Sequence, residues 1–267
     1  MFLNRSFHRH IYKFNYRLTL CNFLTDIKTN KFQYCSDVHV DTYKYFSDVP
    51  TIIPNAPNLL IAGDLGVPTH KNVYKFLKMT SNNFNMVYYT PGNHEYDCSV
   101  VFDERKYYRY KQQIRQLCNL FDNVILLDNN SYEHNDDIVI IGTTLWSKPL
   151  TIFTDEHKRH FNEHLEAVNF IEQSKKQFFN KKIILLTHFI PTKKLIEPKY
   201  LSRGENTTSF FATNLEHIIT KPIVACVAGH SHSCLETTVN GIPCMLNAHG
   251  YQREQLTKII KSKEFII

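Results

Sequence analysis

Met86-Val87-Tyr88-Tyr89-Thr90-Pro91-Gly92-Asn93-His94-Glu95 is an apolar run, broken by a turn and followed at once by an amide, an imidazole and a carboxylate. The aromatic and β-branched residues read as a buried strand, and Pro and Gly end it. Polar, metal-competent groups therefore sit on a loop at a strand's carboxyl end, the edge where open α/β sheets place their ligands. An ordinary polar turn would also use Asn and Gly, so the stretch alone decides little.

The pattern recurs four times. Phe32-Gln33-Tyr34-Cys35 leads into Ser36-Asp37-Val38-His39, and Leu59-Leu60-Ile61-Ala62 into Gly63-Asp64-Leu65-Gly66. Ile183-Ile184-Leu185-Leu186 leads into Thr187-His188, and Ile223 to Ala228 into Gly229-His230-Ser231-His232. Core packing gives no reason for five apolar runs to stop at Asp, His or Asn. Buried and unpaired, those side chains would be costly without a cation.

Asp37, His39, Asp64, Asn93, His94, His188, His230 and His232 are the candidate site. Carboxylates, an amide and imidazoles suit Mn, Fe or Zn rather than Ca, which prefers oxygen alone. They are too many for one tetrahedral ion, whereas two ions sharing a carboxylate would use them all. Paired metals about 3.5–4 Å apart suit in-line attack on phosphorus. In Asp37-x-His39 and His230-x-His232, side chains two apart lie on the same side of extended backbone and can converge.

The ordered set Asp37-x-His39, Gly63-Asp64, Gly92-Asn93-His94-Glu95, Thr187-His188, Gly229-His230-x-His232 resembles the calcineurin-like metallophosphoesterase superfamily, with every block in the family's order. The resemblance implies an α/β fold, an αββα sandwich of two mixed sheets flanked by helices, with a centre of two divalent or trivalent ions. It implies Asp64 as the bridging ligand, one metal on Asp37, His39 and His232, and the other on Asn93, His188 and His230. By the same resemblance His94 is a catalytic non-ligand that gives a proton to the leaving oxygen or stabilises the phosphoryl group. Gly142-Thr143-Thr144-Leu145-Trp146 and Asn247-Ala248-His249-Gly250-Tyr251 are similar to a bacterial-type single-domain branch. The chain departs from that branch at His188-Phe189, where two adjacent His are common, and at Ala248-His249-Gly250, where Pro-Arg-Gly is common. The expected function is hydrolysis of phosphate mono- or diesters by a water activated at two metals. The alternatives are a silent scaffold of the same fold, or a nuclease.

Length and charge set the frame. At 267 residues with 43% hydrophobic side chains, one large α/β domain is expected. The net charge of +6 is uneven. Residues 1–30 carry five basic groups and one acid, and residues 31–267 keep 26 basic and 24 acidic, a net +2. A near-neutral body argues against broad nucleic-acid binding. Residues 1–30 read as a basic extension, with a transit peptide as the alternative, and 31–267 as the domain. No apolar run approaches a membrane span. Seven Cys without a CxxC pair are expected to be reduced and mostly buried in a cytoplasmic setting.

Between the motifs, Lys71 to Ser81, Asp103 to Phe121 and Asp155 to Phe179 read as helices, the last opened by Thr154 as N-cap. Phe211 to Ile219 reads as a short helix. Val124 to Leu127 and Ile138 to Ile141 read as strands separated by a polar turn, Asn129 to Asp137. Asn240-Gly241 reads as a hairpin turn. His157, His160 and His164 share one helical face and are expected to be solvated rather than a third metal site. Tyr107-Tyr108-Arg109-Tyr110 reads as a helix packing its aromatics inward, with base stacking as the alternative. His249 would reach the metal rim if its strand end lies beside the one that bears His232, and is otherwise an ordinary loop residue.

Overall fold

Strand and helix ends fall where the apolar patterning changes. The computed structural model describes residues 30–96, 103–255 and 257–267. The basic extension over residues 1–30 therefore lies outside the described residues, except for Asn30.

The strands are β1 (Lys31–Cys35), β2 (Thr51–Ile52), β3 (Asn58–Ala62), β4 (Met86–Thr90), β5 (Val124–Leu126), β6 (Asn130–Glu133), β7 (Ile138–Thr143), β8 (Lys182–Thr187), β9 (Ile223–Ala228), β10 (Cys234–Val239), β11 (Ile242–Asn247), β12 (Ile259–Ile260) and β13 (Glu264–Ile266). The helices are α1 (Lys71–Asn83), α2 (Glu104–Cys118), α3 (Asp155–Gln177), α4 (Pro198–Leu201) and α5 (Glu205–Thr208). One sheet has the order β13-β1-β3-β4-β5, the other β10-β11-β9-β8-β7-β6, and β12 pairs with β2 apart from both. β1, β3, β4 and β5 run parallel, as do β7, β8, β9 and β11, with antiparallel strands at the margins.

Alternation along each strand splits the core into two layers. Phe32, Tyr34, Leu60, Tyr88, Ile140, Ile184, Leu186, Ala225 and Val227 form a cluster from both sheets and no helix, which is the inter-sheet core. Their neighbours Leu59, Ile61, Val87, Tyr89, Val139, Ile141, Ile183 and Leu185 face outward into a cluster with Val73, Phe76 and Leu77 of α1, Ile114 of α2, and Ala167 and Ile171 of α3. Strands covered on both sides read as unbroken apolar runs, which is why β3 and β7 are buried throughout. This is the αββα sandwich that the motifs implied.

Local signals place the helices. Asp103 accepts from Arg105 and Lys106 N–H at 2.9 and 3.2 Å to open α2, and Thr154 caps α3 through His157 N–H at 3.2 Å. Asn240 and Gly241 carry φ of 50° and 79° and join β10 to β11 as expected. In α2, Tyr107 and Tyr110 are buried and Tyr108 is exposed, the packing expected of that run.

Two elements differ from expectation. The polar stretch 129–137 contains β6, paired antiparallel to β7 from Asn130↔Gly142 to Glu133↔Val139. It is an exposed margin strand and so carries turn-like residues. Phe211 to Ile219 is not helical. Leu215 N–H bonds Pro191 O at 2.9 Å, and the burial of Ala212, Leu215, Ile218 and Ile219 comes from packed turns that mimic helical spacing. The short helices of that region are α4 and α5, earlier in the chain.

Candidate metal centre

All the parallel strands that bear motifs end at one edge. Asp37 and His39 follow β1, Asp64 follows β3, Asn93 and His94 follow β4, His188 follows β8, and His230 and His232 follow β9. Tight turns aim them inward. Asp37, His39, Asp64, His230 and His232 all have positive φ, between 46° and 75°. For residues with a Cβ that region costs about 1–2 kcal/mol each, so the surrounding structure must impose it. Gly92 cannot be replaced freely, because a Cβ there would collide with Asp64 Oδ1.

The side chains converge as three groups, Asp37–His39–His232, His39–Asp64–His94 and Asp64–His188–His230, with the donor atoms of each within 4.8 Å of one another. Asp64 belongs to two of them. Its Oδ1 lies 3.3 Å from His188 Nε2 and accepts His94 N–H at 2.9 Å, and its Oδ2 lies 3.9 Å from His39 Nε2. His188 Nε2 is 3.0 Å from Asn93 Oδ1 and 3.2 Å from His230 Nδ1. His39 and His232 approach each other through Nε2 at 3.0 Å. Asn93 thus joins the cluster of His188 and His230, although it is an amide.

Protonation follows from burial. Desolvation, with neighbouring imidazoles next, pushes His39 down to about 2 and His230 well below the ordinary histidine value; burial also lowers His188. These rings are neutral, and their approaches to carboxylates are not ion pairs. Burial raises Asp37 to about 6 and raises Asp64. His188 Nδ1 faces Ala62 O at 2.9 Å, which places the proton there and leaves the Nε2 lone pair aimed at Asn93 Oδ1 and Asp64 Oδ1. His232 Nδ1 faces Glu254 Oε2 at 2.7 Å, leaving Nε2 toward Asp37 Oδ1 at 3.6 Å. Acceptors facing acceptors in a desolvated pocket are what a bound cation reconciles. A ligand imidazole held from behind by a carbonyl or carboxylate is the usual support of a metal site. The residues fit divalent metal.

Three supporting residues carried no role in the sequence reading. Glu95 is fully buried and accepts from Asp64 N, Leu65 N, Gly92 N and Tyr89 Oη at 2.5–3.1 Å, locking the loops after β3 and β4 together. Burial and the charge of Asp64 push its carboxyl up to about 7. Glu254 also accepts Tyr251 N–H at 2.9 Å. Tyr251 stacks on His39 with ring centroids 4.2 Å apart, and its Oη lies 3.0 Å from His94 Nε2. Glu95 had a signal, a carboxylate directly after the motif histidine. Tyr251 had only its place in the family-like block Asn247 to Tyr251, and Glu254 had none.

Other histidines fall elsewhere. His249 is buried, with its N–H on Ser36 O at 2.9 Å, and joins none of the three groups. His157, His160 and His164 are not the solvated face expected. His164 is buried with Nδ1 near Leu145 O at 3.0 Å, His160 packs on Trp146 at 4.6 Å, and His157 on Phe210 at 4.9 Å. That face of α3 is the one turned to the sheet, and no metal group forms there among the described residues.

Beside the centre lies a cleft of about 280 Å³, bounded by Asp64, His94, His230 and His232 on one side and by residues of the β8–β9 connection on the other. His94 is 46% exposed at its mouth.

A two-sheet sandwich with Asp and His clusters at its strand ends is the architecture of the metal-dependent phosphoesterase class. The chain belongs to the calcineurin-like phosphoesterase family, whose model matches residues 31–234. A protein of Acanthamoeba polyphaga mimivirus, L509, is 29% identical over an alignment of 231 positions that covers 74% of this chain and 79% of that one. Among solved structures, the phosphopantetheinyl hydrolase PptH of Mycobacterium tuberculosis superposes with a TM-score of 0.61 at 17% identity, over 85% of this chain and 91% of that one. The protein TT1561 of Thermus thermophilus superposes with a TM-score of 0.51 at 12% identity, over 83% and 90%. At such identities the likeness is one of fold. No helix among the described residues is long and apolar enough to cross a membrane.

Proposed function

We propose that residues 31–267 form one phosphoesterase domain that hydrolyses phosphate mono- or diesters at a dinuclear centre. The observation that carries this is the position of Asp64. Its carboxylate groups with His39 and His94 on one side and with His188 and His230 on the other, so it reaches a proposed ligand of each ion, as a bridging ligand must. Asp37, His39 and His232 would hold one ion and Asn93, His188 and His230 the other, with Mn, Fe or Zn suiting the donors. Such a pair, when bound, polarises the phosphoryl oxygens and makes a water nucleophilic near neutral pH.

The remaining work falls to the chain. His94 keeps its imidazole at the cleft mouth, Nε2 3.9 Å from Asp64 Oδ2, close enough to the centre to give a proton to the leaving oxygen. The bond from the His94 backbone N–H to Asp64 Oδ1 fixes the loop relative to that carboxylate. Glu95 keeps the two loops in register. Of the five free cysteines among the described residues, four are buried.

The test uses metal-stripped protein reloaded with Mn, assayed on 4-nitrophenyl phosphate and bis(4-nitrophenyl) phosphate beside His94→Ala and Asp64→Asn. The expected result is Mn-dependent turnover that drops about 10²–10⁴-fold in His94→Ala, the usual share of general acid catalysis, with metal content retained. Asp64→Asn should lose metal and turnover together. Protein that binds no metal would sink the reading, and full metal and rate in Asp64→Asn would remove the bridging role.

A further inference from the structure

The half of the cleft away from the proposed ligands has no part in that chemistry. Its wall is the connection between β8 and β9, and it is largely apolar and aromatic: Ile196, Tyr200 and Phe211, with Tyr251 closing the side toward His94. The Phe211 ring lies 5.4 Å from that of His230, so the aromatic wall begins one ring's width from the candidate ligands.

Charge in this wall is unbalanced at one point. Residues 191–216 carry four basic side chains. Lys193 pairs with Glu205 at 2.6 Å, Lys194 with Glu216 at 2.9 Å and Lys199 with Glu197 at 2.6 Å. Arg203 has no carboxylate partner among the described residues. It lines the cleft, with its guanidinium 5.0 Å from the Tyr200 ring centre. A planar cation without a counter-ion, backed by an aromatic ring, is a bidentate grip for an anion.

Size narrows the ligand. About 280 Å³ is at the lower edge of the roughly 300–1,000 Å³ of small-molecule sites. It is concave, unlike the extended surface that a phosphoprotein or a polynucleotide needs.

We propose that this half-cleft is a leaving-group subsite. It takes a small phosphoester whose leaving group is a flat aromatic ring bearing a second anionic substituent. The ring packs among Tyr200, Phe211 and Tyr251, and Arg203 holds the anion. The inference rests on the phosphoesterase reading above, which supplies the site for the scissile phosphate.

Non-hydrolysable probes separate binding from leaving-group reactivity. Methylphosphonate, phenylphosphonate and 4-carboxyphenylphosphonate would be titrated by calorimetry into Mn-loaded protein, Arg203→Ala and Tyr200→Ala. The expected result is a Kd that falls at least fivefold with the ring and fivefold again with the carboxylate. Arg203→Ala should erase the second step and Tyr200→Ala most of the first. Arg203 is exposed, so its replacement leaves the fold intact. Methylphosphonate binding with all three Kd values within twofold would overturn the subsite while leaving the phosphoesterase reading standing, as would gains that survive in both variants. Protein that holds neither Mn nor any of the three would overturn both.

Discussion

Tyr251 Oη lies 3.0 Å from His94 Nε2 while its ring stacks on His39, so one side chain touches both the proposed proton donor and a proposed ligand. The phenol adds a hydrogen bond to an imidazole that otherwise rests edge-on against His39, with ring centroids 4.8 Å apart. Tyr251→Phe keeps the stack and deletes the hydrogen bond, worth about 0.5–1.5 kcal/mol. The expected outcome is a kcat lower by about 2–10-fold with metal content unchanged, read by steady-state kinetics beside metal analysis. A fall in metal content instead would mean that the tyrosine serves the ligand and not the acid.

Glu254 holds His232 Nδ1 at 2.7 Å and Tyr251 N–H at 2.9 Å with one oxygen. Losing such support behind a ligand imidazole weakens metal affinity by about 10–100-fold. Glu254→Ala should show this in a chelator competition at one metal and spare the other. Equal weakening of both would place the effect in the loop as a whole.

Glu95 accepts four donors in full burial, two of them from the backbone after β3. Above about pH 7, where this carboxyl is ionised, hydrogen bonds to the charged group contribute about 1.5–3 kcal/mol. Glu95→Gln keeps the size but exchanges one acceptor oxygen for a donor that faces other donors. Urea unfolding of the metal-free protein should give a loss of at least about 2 kcal/mol, within that range. An unchanged midpoint would show that the loops are held by other means.

His160 is half-buried and His164 buried, both away from the centre, and burial lowers both, His160 to about 3. The unfolded chain takes up protons near the ordinary histidine value of about 6.5 while the folded one does not. Their contribution is therefore full above about pH 6.5 and falls as pH drops toward 3. Unfolding midpoints of wild type should decline over that window, and His160→Gln should decline less steeply. Parallel slopes would assign the acid limb to other groups.

The part of this molecule most legible from its residues was the strand-to-loop transition. β1, β3, β4, β8 and β9 announce themselves because strands buried on both faces have no room for polar residues until they end. The same logic hides β6, whose Asn130-Ser131-Tyr132-Glu133 lies at an exposed margin and is free to look like a turn. It misreads Phe211 to Ile219, where packed turns reproduce helical spacing. It also says nothing of β13, which crosses the whole chain to pair with β1 at Lys31↔Ile266. The ligands were legible by chemical type. Glu254 and Tyr251 were not, since a surface-type carboxylate and tyrosine acquire a role only when the fold brings them to His232 and His94. His164 was misplaced because a histidine on an amphipathic helix can face either way, and only the position of Leu145 and Trp146 decides.

Five of the proposed site residues hold left-handed backbone that glycine would occupy without strain. The sandwich, with its two apolar layers, therefore carries its backbone strain at the very edge where it works. Selection for stability alone would replace His39 or His232 by glycine and relax the turn. That these positions are Asp and His instead means that the fold has conceded stability for a preformed centre, and a chain freed of its chemistry would drift toward the more relaxed sequence.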